Sequence, residues 1–136
     1  MTVVVDINVL LDVFQRREPY YAASAAVLNQ IMNGRMVGIC PAHGLTTLFY
    51  LARRHGTQVD AEAVIDRVLE YFEVVSLDKS EWERARSLPM DDFEDAAIAV
   101  TAEKSGALFI VTRNEGDFVS SPVPAVSPAS FLSRMS

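Results

Sequence analysis

Five short apolar runs, most of them separated by stretches with helical rhythm, constrain this chain more than any other feature. They are Val3–Val5, Met36–Cys40, Val74–Val75, Leu108–Val111 and Val123–Val126. Each is too short for a helix and rich enough in β-branched residues for a buried strand. A helix from Ile7 to about Phe14 follows the first run. Pro19 opens a second, with Tyr20, Ala23, Val27 and Ile31 in register until Asn33-Gly34 stops it. Pro41 begins a third that reaches about His55-Gly56, and Val59–Phe72 forms a fourth through Val64, Val68 and Leu69. Glu81–Ser87 is helical up to the break at Pro89. Asp92 starts a further helix that Ser105-Gly106 ends. Ser127-Pro128 supplies an N-cap and a first-turn proline to the last. Strands alternating with helices predict an α/β fold: three layers, α/β/α, around a central parallel sheet of about four to five strands. No repeat, low-complexity tract or linker interrupts the pattern, so residues 1–136 read as one domain.

Composition narrows the setting. Half of the residues are apolar, enough for a genuine core, yet no apolar run is long enough to cross a membrane. The start enters Val3 directly, without the basic segment and long apolar stretch of a signal peptide. Cys40 is the single cysteine, which excludes a disulfide framework and places the chain in a reducing cytoplasm. Flanked by Ile39 and Pro41, it reads as a small buried hydrophobe.

The net charge is −6, unevenly distributed. Between Val13 and Thr57, Arg16, Arg17, Arg35, Arg53 and Arg54 face only Glu18, a local balance of +4 that leaves −10 for the rest. The densest acidic cluster is Asp91, Asp92, Glu94 and Asp95. An acidic centre with a basic flank suits a protein that holds cations and receives phosphates beside them, although a solvated acidic surface has the same composition.

In an open parallel sheet the carboxyl ends of the strands form the ligand edge. Asp6 closes the first strand there, with Asn8 two residues on. The helix from Pro41 brings His43, Thr46 and Thr47 in its first turns. The helix from Asp92 puts Asp92 and Asp95 three apart on one face, and the fourth strand runs out through Thr112, Arg113 and Asn114 to Asp117. Each acid also has an ordinary structural role open to it: Asp6 as a helix cap, Asp92 and Asp95 as favourable charges in a helix first turn, Asp117 as a loop acid. Gathered on one edge, they repel unless a cation sits between them, and Mg²⁺ or Mn²⁺ is the hard ion such oxygens select. No zinc-like spacing of His43, His55 and Cys40 competes.

Three segments carry a resemblance. Val3-Val4-Val5-Asp6-Ile7-Asn8-Val9-Leu10-Leu11-Asp12 resembles the opening motif of PIN domains. Asp95-Ala96-Ala97-Ile98-Ala99 resembles their central motif, and Val111-Thr112-Arg113-Asn114-Glu115-Gly116-Asp117-Phe118 their last. The ending, Val123 to Leu132, is also similar to the tail of these domains, so the likeness spans essentially the whole chain. It implies Mg²⁺- or Mn²⁺-dependent hydrolysis of RNA phosphodiester bonds by a bound water, with no covalent intermediate. Asp6, Asp95 and Asp117 would be the metal-centre carboxylates, and Asn8, Thr112 and Asn114 would support them through hydrogen bonds. Many single-domain bacterial members are VapC-type toxins, held by an antitoxin and commonly dimeric, which implies the toxin half of a type II toxin–antitoxin pair and a homodimer.

One position departs from that pattern. Aligning Leu48-Phe49-Tyr50-Leu51 puts Thr47 where the family carries a glutamate, and a threonine cannot supply the charge. Asp92 or Glu94 is then the compensating acid, with Asp92 as a fourth metal candidate. The competing expectation is a degenerate module that binds RNA or protein without cutting. Arg113 is the first phosphate-contact candidate, followed by Arg16, Arg17, Arg53 and Arg54. Asp12, about a turn and a half beyond Asp6, reads as structural. So does His43, and Trp82 reads as packed against the sheet or a partner. An aspartyl-phosphate enzyme would need a lysine near the acids, and neither Lys79 nor Lys104 lies near a strand end.

Overall fold

The structure, a computed structural model, describes residues 1–135. Strand β1 (Thr2–Val5) leads into helix α1 (Ile7–Phe14) and then α2 (Tyr21–Met32). Strand β2 (Val37–Pro41) is followed by a 3₁₀ turn (Ala42–Gly44), α3 (Leu45–Arg54) and α4 (Gln58–Tyr71). Strand β3 (Glu73–Val75) precedes α5 (Lys79–Ser87) and α6 (Phe93–Ser105). Strand β4 (Phe109–Val111), a 3₁₀ turn (Glu115–Phe118), β5 (Ala125–Val126) and α7 (Pro128–Met135) complete the chain.

All five strands are parallel, in the order β3-β2-β1-β4-β5. Side chains alternate between the two faces of the sheet, as the pleat requires. Val3, Val5, Cys40 and Val111 point into a core shared with α1, α2, α3, α4 and Phe131 of α7. Val4, Ile39 and Ile110 point the other way, onto Ile98, Ala99 and Ala102 of α6. Val3, Val4 and Val5 are fully buried, each contributing roughly 1.5–3 kcal/mol. The expected α/β/α layering is thus observed.

Small residues set the close approaches. A Cβ on Gly38 of β2 would lie 2.7 Å from Ile31 Cδ1 and 2.8 Å from Phe72 Cε2, so any larger residue would force those side chains to shift. Gly106, at φ 67°, ends α6 in the left-handed conformation, its amide donating to the Glu103 carbonyl at 3.2 Å.

Several boundaries differ from expectation for local reasons. Pro41 belongs to the end of β2, and a 3₁₀ turn intervenes before α3 begins at Leu45. Helix α2 starts at Tyr21, two residues after Pro19. Helix α5 starts at Lys79, before the expected Glu81, because Asp78 and Glu81 form a reciprocal capping box. No described helix is long and apolar enough to cross a membrane.

The strand order determines where chemistry can sit. The chain leaves β1 towards β2 and β3, then returns to β1's other side with β4. That reversal opens a crevice at the carboxyl ends of β1 and β4, where Asp6 and Thr112 are the first residues beyond each strand. The Asp6 amide donates to the Val111 carbonyl at 3.0 Å, which stitches the two strand ends together.

Candidate active site

Asp6 is buried at this crevice. Its side chain makes no capping hydrogen bond of full geometry to α1, although the first amides of that helix face it. Thr112 instead donates its hydroxyl to Asp6 Oδ2 at 2.9 Å, and the Asn114 amide donates to Thr112 Oγ1 at 3.1 Å. The segment after β4 therefore holds the Asp6 carboxylate in one orientation. Burial raises the Asp6 pKa above the usual carboxylate value, while the Thr112 hydroxyl and the facing amides of Asn8 and Ile7 oppose the rise.

Asp95 occupies the third position of α6. Its pKa is pushed up to about 6, first by burial and then by Asp92, Asp6, Asp117 and Glu94. Asp92, Asp6, Asp117 and Glu94 thus lie within electrostatic reach of Asp95, although they come from three separate regions of sequence. A cleft of about 370 Å³ opens on Asp92, Asp95 and Asp117, lined also by Asp91, Met90 and Ser120; Asp6 is not among its lining residues. Asp92 lies at the N-cap, just outside the helix face on which the sequence placed it. Its Oδ1 accepts the Asp95 amide at 2.9 Å, so one of its two oxygens is committed to the cap.

The donor chemistry fits a hard divalent cation, since every acid that Asp95 feels is a carboxylate. Among the described residues no three His, Cys, Asp or Glu side chains are already drawn into a ligand cluster.

The basic candidates are placed differently from the acids. Arg113 Nε lies 2.8 Å from Asp12 Oδ2, and its guanidinium stacks over Tyr20 at 4.2 Å from the ring centroid. It is a counter-charge for the fully buried Asp12, in keeping with a structural Asp12, and it also acts on Asp6. Arg16 stacks over Tyr21 at 5.9 Å, and Arg17 acts on Asp12. Arg53, bonded to Gln58 at 2.8 Å, and Arg54 close α3. That end of α3 meets the far end of α1, where Gln15 reaches the Leu51 carbonyl. The eight residues of α1 put it about 12 Å along the helix from Asp6. The structure therefore does not bring these four arginines to the acids.

Thr47 lies in the first turn of α3, half-buried, and is not among the residues lining the acidic cleft. Asn8 and Asn114 act at the centre through their backbone amides. Cys40 is fully buried, with its thiol pushed up to about 12, an inert hydrophobe as expected. Trp82 packs between His43 and Phe93, with ring centroids at 5.5 and 5.6 Å, rather than against the sheet. Burial lowers the His43 pKa and Glu94 opposes that. Arg86, Met90 and Phe93, beside the acidic cleft, were not singled out in the sequence. The available signal was Phe93 itself, an apolar residue set between Asp92 and Glu94.

A family model described as PIN domain matches residues 2–116, and the chain belongs to that family. Ribonuclease VapC1 of Aquifex aeolicus (strain VF5) is 25% identical over 137 residues, covering 97% of this chain and 94% of that protein. Among solved structures, Mycobacterium tuberculosis VapC20, a sarcin–ricin loop cleaving toxin, matches at a TM-score of 0.71 and 16% identity, over 89% of this chain and 95% of that one. VapBC2 from Rickettsia felis, bound to a fragment of its promoter DNA, matches at 0.70 and 16%, over 93% and 98%. These structural likenesses establish the common fold.

The acids also set a stability signature. A carboxyl group whose folded pKa exceeds its unfolded value binds its proton more tightly in the native state. Its stabilising contribution is complete below about pH 4 and is lost as pH rises through about 6. Metal-free protein melted across that window should lose stability relative to Asp95→Asn, which melts higher at pH 7. Superimposable pH profiles for the two proteins would refute the charge coupling.

Proposed function

We propose that this chain is a metal-dependent endoribonuclease, the toxin component of a type II toxin–antitoxin pair. The observation that carries the reading is the convergence of Asp6, Asp95 and Asp117 at the β1/β4 crevice, where the proton affinity of Asp95 reports its neighbours. Asp6, Asp95 and Asp117 would hold Mg²⁺ or Mn²⁺, with the uncommitted oxygen of Asp92 as a fourth ligand. The bound cation supplies Lewis-acid polarisation of a phosphoryl oxygen and a water of lowered pKa. The protein's own contribution is orientation. Thr112 fixes one Asp6 oxygen, and the turn after Asn114 carries Asp117. With Asp92 near Asp95, the site is acidic without the glutamate that Thr47 replaces. Membership of the PIN domain family and the likeness to a VapC ribonuclease support the same reading. Likeness to VapBC assemblies supports an antitoxin partner, and RNA as substrate and a homodimer in the cytoplasm complete the proposal.

The test is cleavage of end-labelled RNA by purified protein in Mn²⁺, Mg²⁺ or EDTA. Cleavage with either metal and none in EDTA is expected. Folded protein that binds Mn²⁺ and leaves a broad RNA panel intact, including ribosomal RNA, would point to the non-cutting module that Thr47 motivates.

A further inference from the structure

Beside the acidic cleft lies a smaller pocket of about 220 Å³ between the end of α5 and the start of α6. Its lining is Ala85, Arg86, Met90, Asp91, Phe93 and Ala96. Met90 and Asp91 also line the acidic cleft, so the two cavities share a wall. We infer that this pocket receives a nucleobase of the RNA strand next to the bond that is cut, stacked on Phe93, with Arg86 on the adjoining backbone phosphate. The inference rests on the nuclease reading of the acidic centre and adds a recognition element to it.

Three observations carry it. First, Phe93 is 49% exposed at the first position of α6, two residues before Asp95, where helix formation has no use for an aromatic side chain. One edge is held by Trp82, which His43 braces in turn, so the ring is fixed while the rest of it stays open. A rigid, half-open aromatic is the platform on which single-stranded bases stack, at little entropic cost. Second, the pocket is smaller than the roughly 300–1,000 Å³ of cavities that take drug-sized ligands, and so suits one planar ring system. Third, Arg86 is exposed one turn beyond Trp82 on α5 and makes no ion pair among the described residues. Beside a cluster of acids, a cation there offsets the repulsion that an RNA backbone otherwise meets.

Trp82 is the single tryptophan and touches Phe93, so its fluorescence reports occupancy of the pocket directly. Protein in Mg²⁺ is titrated with the four ribonucleoside 5′-monophosphates and, as a baseless probe, with ribose 5-phosphate. Nucleotides should give a saturable change and bind tighter than ribose 5-phosphate. Phe93→Leu, which keeps an apolar residue and the melting temperature, should weaken nucleotides about fivefold or more and leave ribose 5-phosphate unchanged. Arg86→Gln should weaken both. In RNA cleavage, Phe93→Leu should raise KM by a similar factor with kcat within about twofold. Nucleotides that bind no better than ribose 5-phosphate would overturn the inference, as would an unchanged Phe93→Leu protein or one that loses only antitoxin binding. Base-dependent binding without any RNA cleavage would keep the pocket and remove the nuclease. Normal cleavage without base-dependent binding would do the reverse.

Discussion

Asp6→Asn should reduce metal-dependent RNA cleavage by about a thousandfold or more while leaving the protein folded. The magnitude follows from withdrawing a ligand from a cation whose charge stabilisation is worth several kcal/mol. The intact fold follows from the local electrostatics. Burial already disfavours the ionised form of Asp6, so the neutral amide suits the metal-free crevice better than the carboxylate does. Melting curves in EDTA should place the variant at or above the unmodified protein, and calorimetry with Mn²⁺ should show its affinity lost. Thr112→Val, which frees the carboxylate without removing it, should cost about 10–100-fold, the range for a group that orients a ligand. An Asp6→Asn protein that cuts at the normal rate would remove Asp6 from the chemistry. One that unfolds would assign it a structural role.

Arg113→Met should cost about 3–5 kcal/mol of folding free energy, because it leaves Asp12 charged and buried without its counter-ion. Burial already raises the Asp12 pKa against the pull of Arg113 and Arg17. With the larger of those cations gone, the acid takes up a proton more readily, and the lower end of the range applies. A double variant, Asp12→Leu with Arg113→Met, should recover most of the loss, since an apolar pair of similar volume has no desolvation penalty to offset. Urea denaturation of the three proteins measures this. A single-variant loss below about 1 kcal/mol would mean the pair is no more than a surface contact. Cleavage should fall as well, because the same arginine fastens the segment carrying Asn114 and Asp117 to α1.

Much of this was legible in the sequence, for identifiable reasons. The strands announce themselves because β1, β2 and β4 are buried on both faces and so read as unbroken apolar runs. Asp6 stands out because a buried run ending in an acid is costly without a purpose. The side-chain directions were not legible. Arg113 follows Thr112 in a motif that carries the acids, yet its partner Asp12 lies about a hundred residues earlier, on α1. The start of α5 was missed because Asp78-Lys79-Ser80-Glu81 is polar throughout, and its capping box emerges only when Asp78 and Glu81 meet. Arg53 and Arg54 looked like a flank to the centre because charge was counted along the chain, whereas α3 carries them away from the crevice. Phe93 was passed over because hydrophobic patterning looks for apolar residues that are hidden, and this one is not.

The bond between Thr112 and Asp6 joins residues 106 positions apart, and β4 is inserted beside β1 only after β2 and β3 have been made. During synthesis, at roughly 5–20 residues per second, the growing chain can build the β1-β2-β3 half of the sheet while the far wall of the crevice does not yet exist. Fragments released by stalled ribosomes before β4 would carry Asp6 and Asp95 without the segment that orients the first and delivers Asp117. On the proposed reading, the nascent chain has no complete acidic centre, and so should not cut the RNA of the machinery translating it, until β4 and the segment through Asp117 have emerged.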